Sequence, residues 1–253
     1  MSIKFTENSF ENVVIEMFQN LGYDYLCGYD IDRDRRRAYY AEALESSLRR
    51  INKGLGDLAI KQLMERVRYI DGANLLQRNE IFMDMLQNGV SVEDLHSGEY
   101  RTVVARLVDF DDIDNNTFHV INQWTVEEHS NKRPDIVIFI NGLPLVVIEL
   151  KSPTSEQVKL EDAYNQIKNY QKEIPSLFSY NCFNVISNMA ETRAGTITSS
   201  LERYMQWKTE DGIVESQSSV DYGTFFRGIF PKARLLDIIR NFICFNKDED
   251  KTY

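Results

Sequence analysis

One stretch constrains this chain more than any other: RPDIVIFINGLPLVVIELKSP, residues 133–153. Two strongly apolar runs flank Asn141-Gly142-Leu143-Pro144, and Asn-Gly between apolar runs predicts a β-hairpin. The second run carries Val146, Val147, Ile148 and Leu150, so it is apolar on both faces. A strand of that kind has to be covered on both sides, which selects a layered α/β architecture over a sheet with one wet face. Charged groups at the end of such a strand are costly unless paired, hydrated or bound to metal. Asp135, Glu149 and Lys151 sit at that end.

A two-residue loop at Asn141-Gly142 pairs position 140 with 143. A four-residue loop through Pro144 pairs 140 with 145. Either register places Glu149 within one residue of the position opposite Asp135. Strand side chains alternate faces, so Glu149 and Lys151 share one. The three groups then converge at the open end of the hairpin. Two carboxylates so placed suit Mg²⁺, a hard cation that takes oxygen ligands and keeps several waters. The ion would polarise a scissile phosphate and help generate the hydroxide that attacks it. Lys151 would position that water or stabilise negative charge in the transition state, and the carbonyl of Leu150 could add an oxygen ligand. The triplet alone carries little weight, since such patterns are common and mark surface ion pairs worth about 0–1 kcal/mol. The hairpin register and the two-faced apolar strand set this one apart.

Around the hairpin, periodicity predicts a helix capped by Thr6 or Asn8 and running through Phe10, Val14 and Phe18 to a stop at Leu21-Gly22. Further helices are expected around 44–51, 60–67 and 80–87, the last closed by Asn88-Gly89. Strands are expected over 102–110, 117–126, 136–140, 145–150, 184–187 and 194–198. A helix is expected over 158–174, stopped before Pro175, and another over 235–245. With 12 Gly and 5 Pro in 253 residues, and no stretch rich in Gly, Pro or Ser, nothing divides the chain. The expected organisation is one α/β domain over 1–253, with 1–100 mostly helical and 101–253 forming the sheet core and its flanking helices.

Net charge is −10, which argues against autonomous tight binding to nucleic acid while leaving room for a local basic patch or a partner that supplies one. Arg33, Arg35, Arg36 and Arg37 interleave with Asp30, Asp32 and Asp34, the pattern of a solvated charged loop; contact with DNA or a partner is the alternative. Cys27, Cys182 and Cys244 are widely spaced and odd in number, as expected of free thiols in a reducing compartment. His96, His119 and His129 are too scattered for a ligand cluster. No signal pattern opens the chain and no apolar run approaches the ~20 residues of a membrane span, so the expected location is the cytoplasm.

Gln166 and Tyr170 fall four apart on the expected helix and project from one face, either as a surface pair or as groups that meet phosphate. At these residues the chain resembles a known family. Arg133-Pro134-Asp135, Glu149-Leu150-Lys151 and Gln166-x-x-x-Tyr170 resemble the PD-(D/E)xK nucleases. The wider wording resembles the N-terminal nuclease region of type I restriction endonuclease R subunits: NQWTV at 122–126, IPSLFSYN at 174–181, ISNMAETRAGT at 186–196 and RLLDIIRNFICF at 234–245. The resemblance covers essentially the whole chain.

It implies a restriction-endonuclease-like fold, a mixed central sheet flanked by helices with an N-terminal helical part. It implies a type I site-specific deoxyribonuclease that hydrolyses double-stranded DNA with Mg²⁺. Carried over by position, Asp135 and Glu149 are metal ligands, Lys151 is the catalytic lysine, and Gln166 and Tyr170 are accessory groups. Glu11 is the candidate for an additional acid on the first helix, with Glu7 second; an exposed helix charge is the alternative for Glu11. The implied partners are modification and specificity subunits, with no membrane. The complete subunit continues into ATP-driven translocase domains, but no G-x-x-x-x-G-K-[ST] loop is present here and Gly54-Leu55-Gly56 lacks the lysine. ATP hydrolysis and translocation are therefore expected to be absent from this chain, as in a fragment or a naturally truncated product. Two other functions compete: a stand-alone repair or junction-resolving nuclease of the same fold, and a non-catalytic module that docks the motor onto the methyltransferase core.

Overall fold

The computed structural model describes residues 6–96, 98–151, 159–213 and 222–245. Along the chain these form α1 (Glu7–Asn20), β1 (Asp24–Cys27), α2 (Ala41–Ile51), α3 (Asp57–Arg68), α4 (Leu75–Asn88), β2 (Val90–His96) and β3 (Glu99–Ala105). There follow β4 (Phe118–Asn122), β5 (Val126–Glu127), β6 (Asn131–Lys132), β7 (Ile136–Ile140) and β8 (Leu143–Leu150). The last elements are α5 (Leu160–Glu173), α6 (Pro175–Ser179), β9 (Phe183–Ser187), β10 (Thr192–Gly195), α7 (Tyr222–Ile229) and α8 (Lys232–Asn241). A six-stranded mixed sheet in the order β1-β4-β7-β8-β9-β10 is the spine. β1 runs parallel to β4 and β8 parallel to β9, and the other neighbours are antiparallel. This is the expected mixed central sheet of a restriction-endonuclease-like fold.

β7 and β8 are buried at every residue, as their two-faced apolar sequence requires. One face is covered by α1 and α7 through a cluster of rings: Phe18 meets Tyr23, Phe226 and Phe230, and Phe230 in turn meets Phe183 of β9. The other face receives Leu160, Ala163, Ile167 and Tyr170 of α5, which packs on β8 and β9. Thr6 caps α1 by accepting from the Ser9 amide at 3.2 Å. Asn74 caps α4 in the same way, and Gly89, at φ +84°, ends it where Asn88-Gly89 was expected to.

The hairpin turn resolves which register applies. Asn141 and Gly142 have φ of +53° and +80°, the mirror-image turn that matches strand twist. The two-residue register therefore holds at the turn, Ile140 against Leu143. A bulge between Ile138 and Phe139 then shifts it by one, so Ile136 faces Ile148. The result lies between the two expected registers, and its continuation sets Asp135 opposite Glu149. Gly142 is held against the start of α2, where its carbonyl accepts from the Tyr40 amide at 2.8 Å. Asn141 is fully buried; its side chain accepts from Thr117 N and donates to Leu107 O and Asn116 Oδ1.

Several elements differ from the sequence reading: β2, β6 and α6 are not among those expected, and the strand expected over 117–126 is divided into β4 and the short β5. The strand expected over 102–110 is β3, and it pairs with β2 in a separate two-stranded ribbon that packs on α3 instead of joining the central sheet. β1 joins the central sheet from within the helical N-terminal part, and α7 is an additional helix. No helix among the described residues is long and apolar enough to cross a membrane. The three cysteines are free, Cys182 buried, Cys27 half-buried and Cys244 exposed.

Candidate metal centre at the end of the central sheet

The C-terminal ends of β1, β4, β8 and β9 and the start of β7 lie at one end of the sheet, as their registers require. Asp135 stands just before β7 and Glu149 is the penultimate residue of β8. The Leu150 amide donates to Oδ2 of Asp135 at 2.7 Å. The next amide, of Lys151, donates to the Ser187 carbonyl at 2.8 Å and ties the end of β8 to β9. Lys151 Nζ donates to Oε1 of Glu149 at 2.5 Å. Glu149 is only 2% exposed and the Lys151 side chain 19%. An ion pair at that depth keeps its full charge only through such contacts, because desolvation penalises each ion separately.

Tyr170 reaches this pair from α5. Its hydroxyl lies 3.4 Å from the Arg133 carbonyl and within hydrogen-bonding reach of Gln166 and Glu149. Burial, and then the negative charge of Glu149, push its pKa well above that of a free tyrosine, so it remains a protonated donor. Gln166 is half-buried one turn earlier. Asp135, Glu149, Lys151, Gln166 and Tyr170 are thus brought together, and the Gln-x-x-x-Tyr pair is no mere surface feature.

Glu11 is placed differently. It is 7% exposed and accepts from Nδ2 of Asn122, the last residue of β4, at 2.7 Å. Oδ1 of Asn122 accepts from the Tyr25 hydroxyl at 3.1 Å. Strand alternation puts Asn122, beside Ile136, on the α1 face and Glu149 on the α5 face. Glu11 therefore occupies the same end of the sheet but approaches from its other side. It is a buried, tethered carboxylate and not an exposed helix charge. The Glu7 side chain and residues 152–158 lie outside the described residues. Asn122 opens the NQWTV stretch, but no spacing rule links it or Tyr25 to Glu11, because the contact joins three separate segments.

The arginine run between β1 and α2 makes its contacts within the protein. Arg33 stacks on the Trp124 ring at 3.4 Å and donates to the carbonyls of Arg37 and Thr125. Its burial lowers its pKa to about 10. Arg35 pairs with Glu127, and Arg36 and Arg37 both pair with Asp34. The loop is a folded clamp on β5 rather than an open cationic surface.

The donor set at the sheet end fits a hard divalent cation. Asp135 and Glu149 are the two carboxylates it offers; among the described residues no group of three or more His, Cys, Asp or Glu that could hold a metal assembles. Such a set leaves most of an octahedral shell to water, as Mg²⁺ prefers, and does not suit a metal that demands a closed protein cage.

Comparison with known sequences identifies the family. A profile of the type I restriction enzyme R protein N terminus matches residues 4–203. The type I restriction enzyme HindI endonuclease subunit of Haemophilus influenzae is 32% identical over 96% of this chain and 24% of its own length. The putative type I restriction enzyme MjaIXP endonuclease subunit of Methanocaldococcus jannaschii is 33% identical over 94% of this chain and 25% of its own. A Staphylococcus aureus type I restriction enzyme endonuclease subunit, from strain MSSA476, is 30% identical over 74% of this chain. The chain thus spans about a quarter of the length of the first two relatives. With the profile matching most of its residues, the chain belongs to the type I restriction enzyme R protein N-terminal family.

Proposed function

We propose that this chain is a Mg²⁺-dependent endonuclease domain of a type I restriction enzyme R subunit, a PD-(D/E)xK nuclease acting on double-stranded DNA. The observation that carries the reading is the convergence of Asp135, Glu149 and Lys151 at the covered end of β8, with Asp135 held by the Leu150 amide and Glu149 by the Lys151 ammonium. Asp135 and Glu149 would hold the metal. When bound, Mg²⁺ supplies Lewis acidity toward the scissile phosphate and lowers the pKa of water. Lys151, fixed by Glu149, presents a cation beside the reacting phosphate, where it orients the attacking water or offsets charge in the transition state. Tyr170, kept protonated, donates toward the carboxylate pair, and Gln166 supports it. Glu11 reinforces the acidic character of this end of the sheet.

The net charge of −10 favours delivery of DNA by partners, and we assign that part to the modification and specificity subunits of a restriction complex. ATP would act through other segments of such a complex.

Calorimetric titration of Mn²⁺, standing in for Mg²⁺, into the wild-type chain and Glu149→Ala tests the carboxylate site. Binding to the wild type and its loss in the variant is the expected result. Equal binding by two well-folded proteins would remove Glu149 from the metal centre.

A further inference from the structure

An open cleft of about 460 Å³ shares no residue with the carboxylate site. It lies between the end of α3, the start of α4, the turn joining β5 to β6, and α6. Its wall includes Arg68, Arg78, Ser176 and Tyr180, with Asp71 and Glu128. The volume falls within the usual range of small-ligand sites, about 300–1,000 Å³.

The two arginines belong to the minority with no ion pair among the described residues, a group that also includes Arg33, Arg50, Arg66, Arg133, Arg203 and Arg234. Arg35, Arg36, Arg49, Arg106, Arg193 and Arg227 each hold a carboxylate. Among the described residues neither Arg68 nor Arg78 forms an ion pair, although two acids share their wall. Glu128 is turned to the Ser176 amide instead, at 2.9 Å. The Nε of Arg78 and the Oγ of Ser176 are buried with no hydrogen-bond partner among the described residues. Burial raises the Tyr180 pKa, and the charges of both Arg68 and Arg78 act on that hydroxyl in the opposite sense.

The backbone beneath these arginines is rigid. Asn79, the neighbour of Arg78, is buried and donates to the carbonyls of Phe178, Ser179 and Asn181. The Tyr180 hydroxyl donates to the Val67 carbonyl at 3.0 Å and fixes the turn that carries Arg68. Gly72 closes over Arg78 so tightly that a Cβ there would lie 2.7 Å from the Arg78 amide nitrogen. Arg78 is half-buried with its Nε unspent, and Arg68 is exposed with its guanidinium 5.0 Å from the centroid of the Tyr69 ring; such donors match the oxygens of a phosphate better than any neutral ligand. The two carboxylates in the wall limit the negative charge that can enter, so one phosphate group fits better than a polyphosphate.

We propose that this cavity is a phosphate-binding site, its ligand a small phosphate ester or one phosphate of a DNA backbone, held by Arg68, Arg78 and the Ser176 hydroxyl. The test is a ³¹P NMR titration of inorganic phosphate with the whole chain, repeated on Arg78→Ala, Arg68→Ala and, as a control outside the cavity, Arg36→Ala. Saturable binding to the wild type and to Arg36→Ala is expected, weakened about tenfold or more in Arg78→Ala with an unchanged circular dichroism spectrum. A wild type that never saturates, or an Arg78→Ala protein that binds as the wild type does, overturns the proposal. A labelled duplex, added in EDTA so that no cleavage occurs, separates the two sources. Competition with phosphate and sensitivity to Arg78→Ala identify the DNA backbone. A duplex indifferent to Arg78 while phosphate remains sensitive identifies a small ester. Neither arm depends on the metal centre, so failure here leaves the nuclease reading standing, and the reverse holds as well.

Discussion

Oδ2 of Asp135 accepts the Leu150 amide at 2.7 Å, so a side chain supplies the acceptor for the last amide of β8. The carboxylate is oriented by the strand whose neighbouring residue, Glu149, is its proposed partner in the metal site. Structure and chemistry can be separated at this position. Asp135→Asn keeps an acceptor for the Leu150 amide and removes the charge. It should abolish DNA cleavage by a reconstituted complex while changing unfolding free energy by less than about 1 kcal/mol. Asp135→Ala should abolish cleavage and also cost about 1–3 kcal/mol, because a buried amide loses its acceptor. Urea unfolding of the pair, alongside a cleavage assay, checks both statements. Wild-type cleavage by Asp135→Asn would show that this carboxylate is not a metal ligand.

Much of this site was legible in the sequence because it is local. β7 occupies the expected 136–140, and both loop lengths considered for Asn141-Gly142 bring Asp135 near Glu149. The bulge itself was not legible. It sits beside Pro144, which has no amide to give the ladder and is tolerated in a strand only at such irregularities. β1 escaped because Asp24–Cys27 is four residues long and pairs in parallel with β4, a contact made across nearly a hundred residues of chain. β2, and with it the pairing of β3, escaped because Asp94 interrupts the apolar alternation of Val90 and Val92. Asp94 is a buried acid that accepts from the Gly56 amide at the start of α3. The Glu11–Asn122–Tyr25 link depends on three segments meeting, which no spacing rule records.

Lys151 and Glu149 form a pair in which each charge is tolerable because of the other. Lys151→Ala would leave a carboxylate 2% exposed without its ammonium, at a cost of about 3 kcal/mol. The double variant Glu149→Gln/Lys151→Met removes both charges and should recover most of that loss while remaining inactive. Chemical denaturation of the single and double variants provides the comparison. If the double variant is as unstable as Lys151→Ala, the ion pair is not the origin of the cost.

His119 faces Asp24 in the parallel register of β1 and β4. Burial lowers its pKa, and the nearby Asp24 charge opposes this without cancelling it. With the folded-state pKa below the unfolded value near 6.5, the unfolded chain takes up its proton first as pH falls. The contribution of His119 to stability is therefore complete above about pH 6.5 and is lost as pH drops through the lower, folded-state value. Unfolding free energy measured at pH 8 and pH 5.5 should decline for the wild type and decline less for His119→Gln. Equal declines would assign the acid sensitivity to other groups.

Gly142 couples the hairpin to the helical N-terminal part. Its φ is +80°, and a Cβ added there would lie 2.5 Å from the Leu44 amide nitrogen and 2.6 Å from the Tyr40 carbonyl oxygen. These are backbone atoms at the start of α2, so no side chain can swing aside to make room. Gly142→Ala should cost about 2 kcal/mol or more, the sum of left-handed strain and displacement of α2 from the turn. Asn141→Gly retains the backbone freedom of the turn but removes the buried hydrogen bonds to Thr117, Leu107 and Asn116, and should be destabilising for that separate reason. Because the turn sets the register that the bulge then shifts, loosening it should also reduce Mn²⁺ affinity at Asp135 and Glu149, beyond the loss of stability. Thermal melts and Mn²⁺ titrations of Gly142→Ala below its melting range measure the two effects independently. An unchanged metal affinity in the still-folded variant would mean that β8 is held in register by β9 and α5 alone.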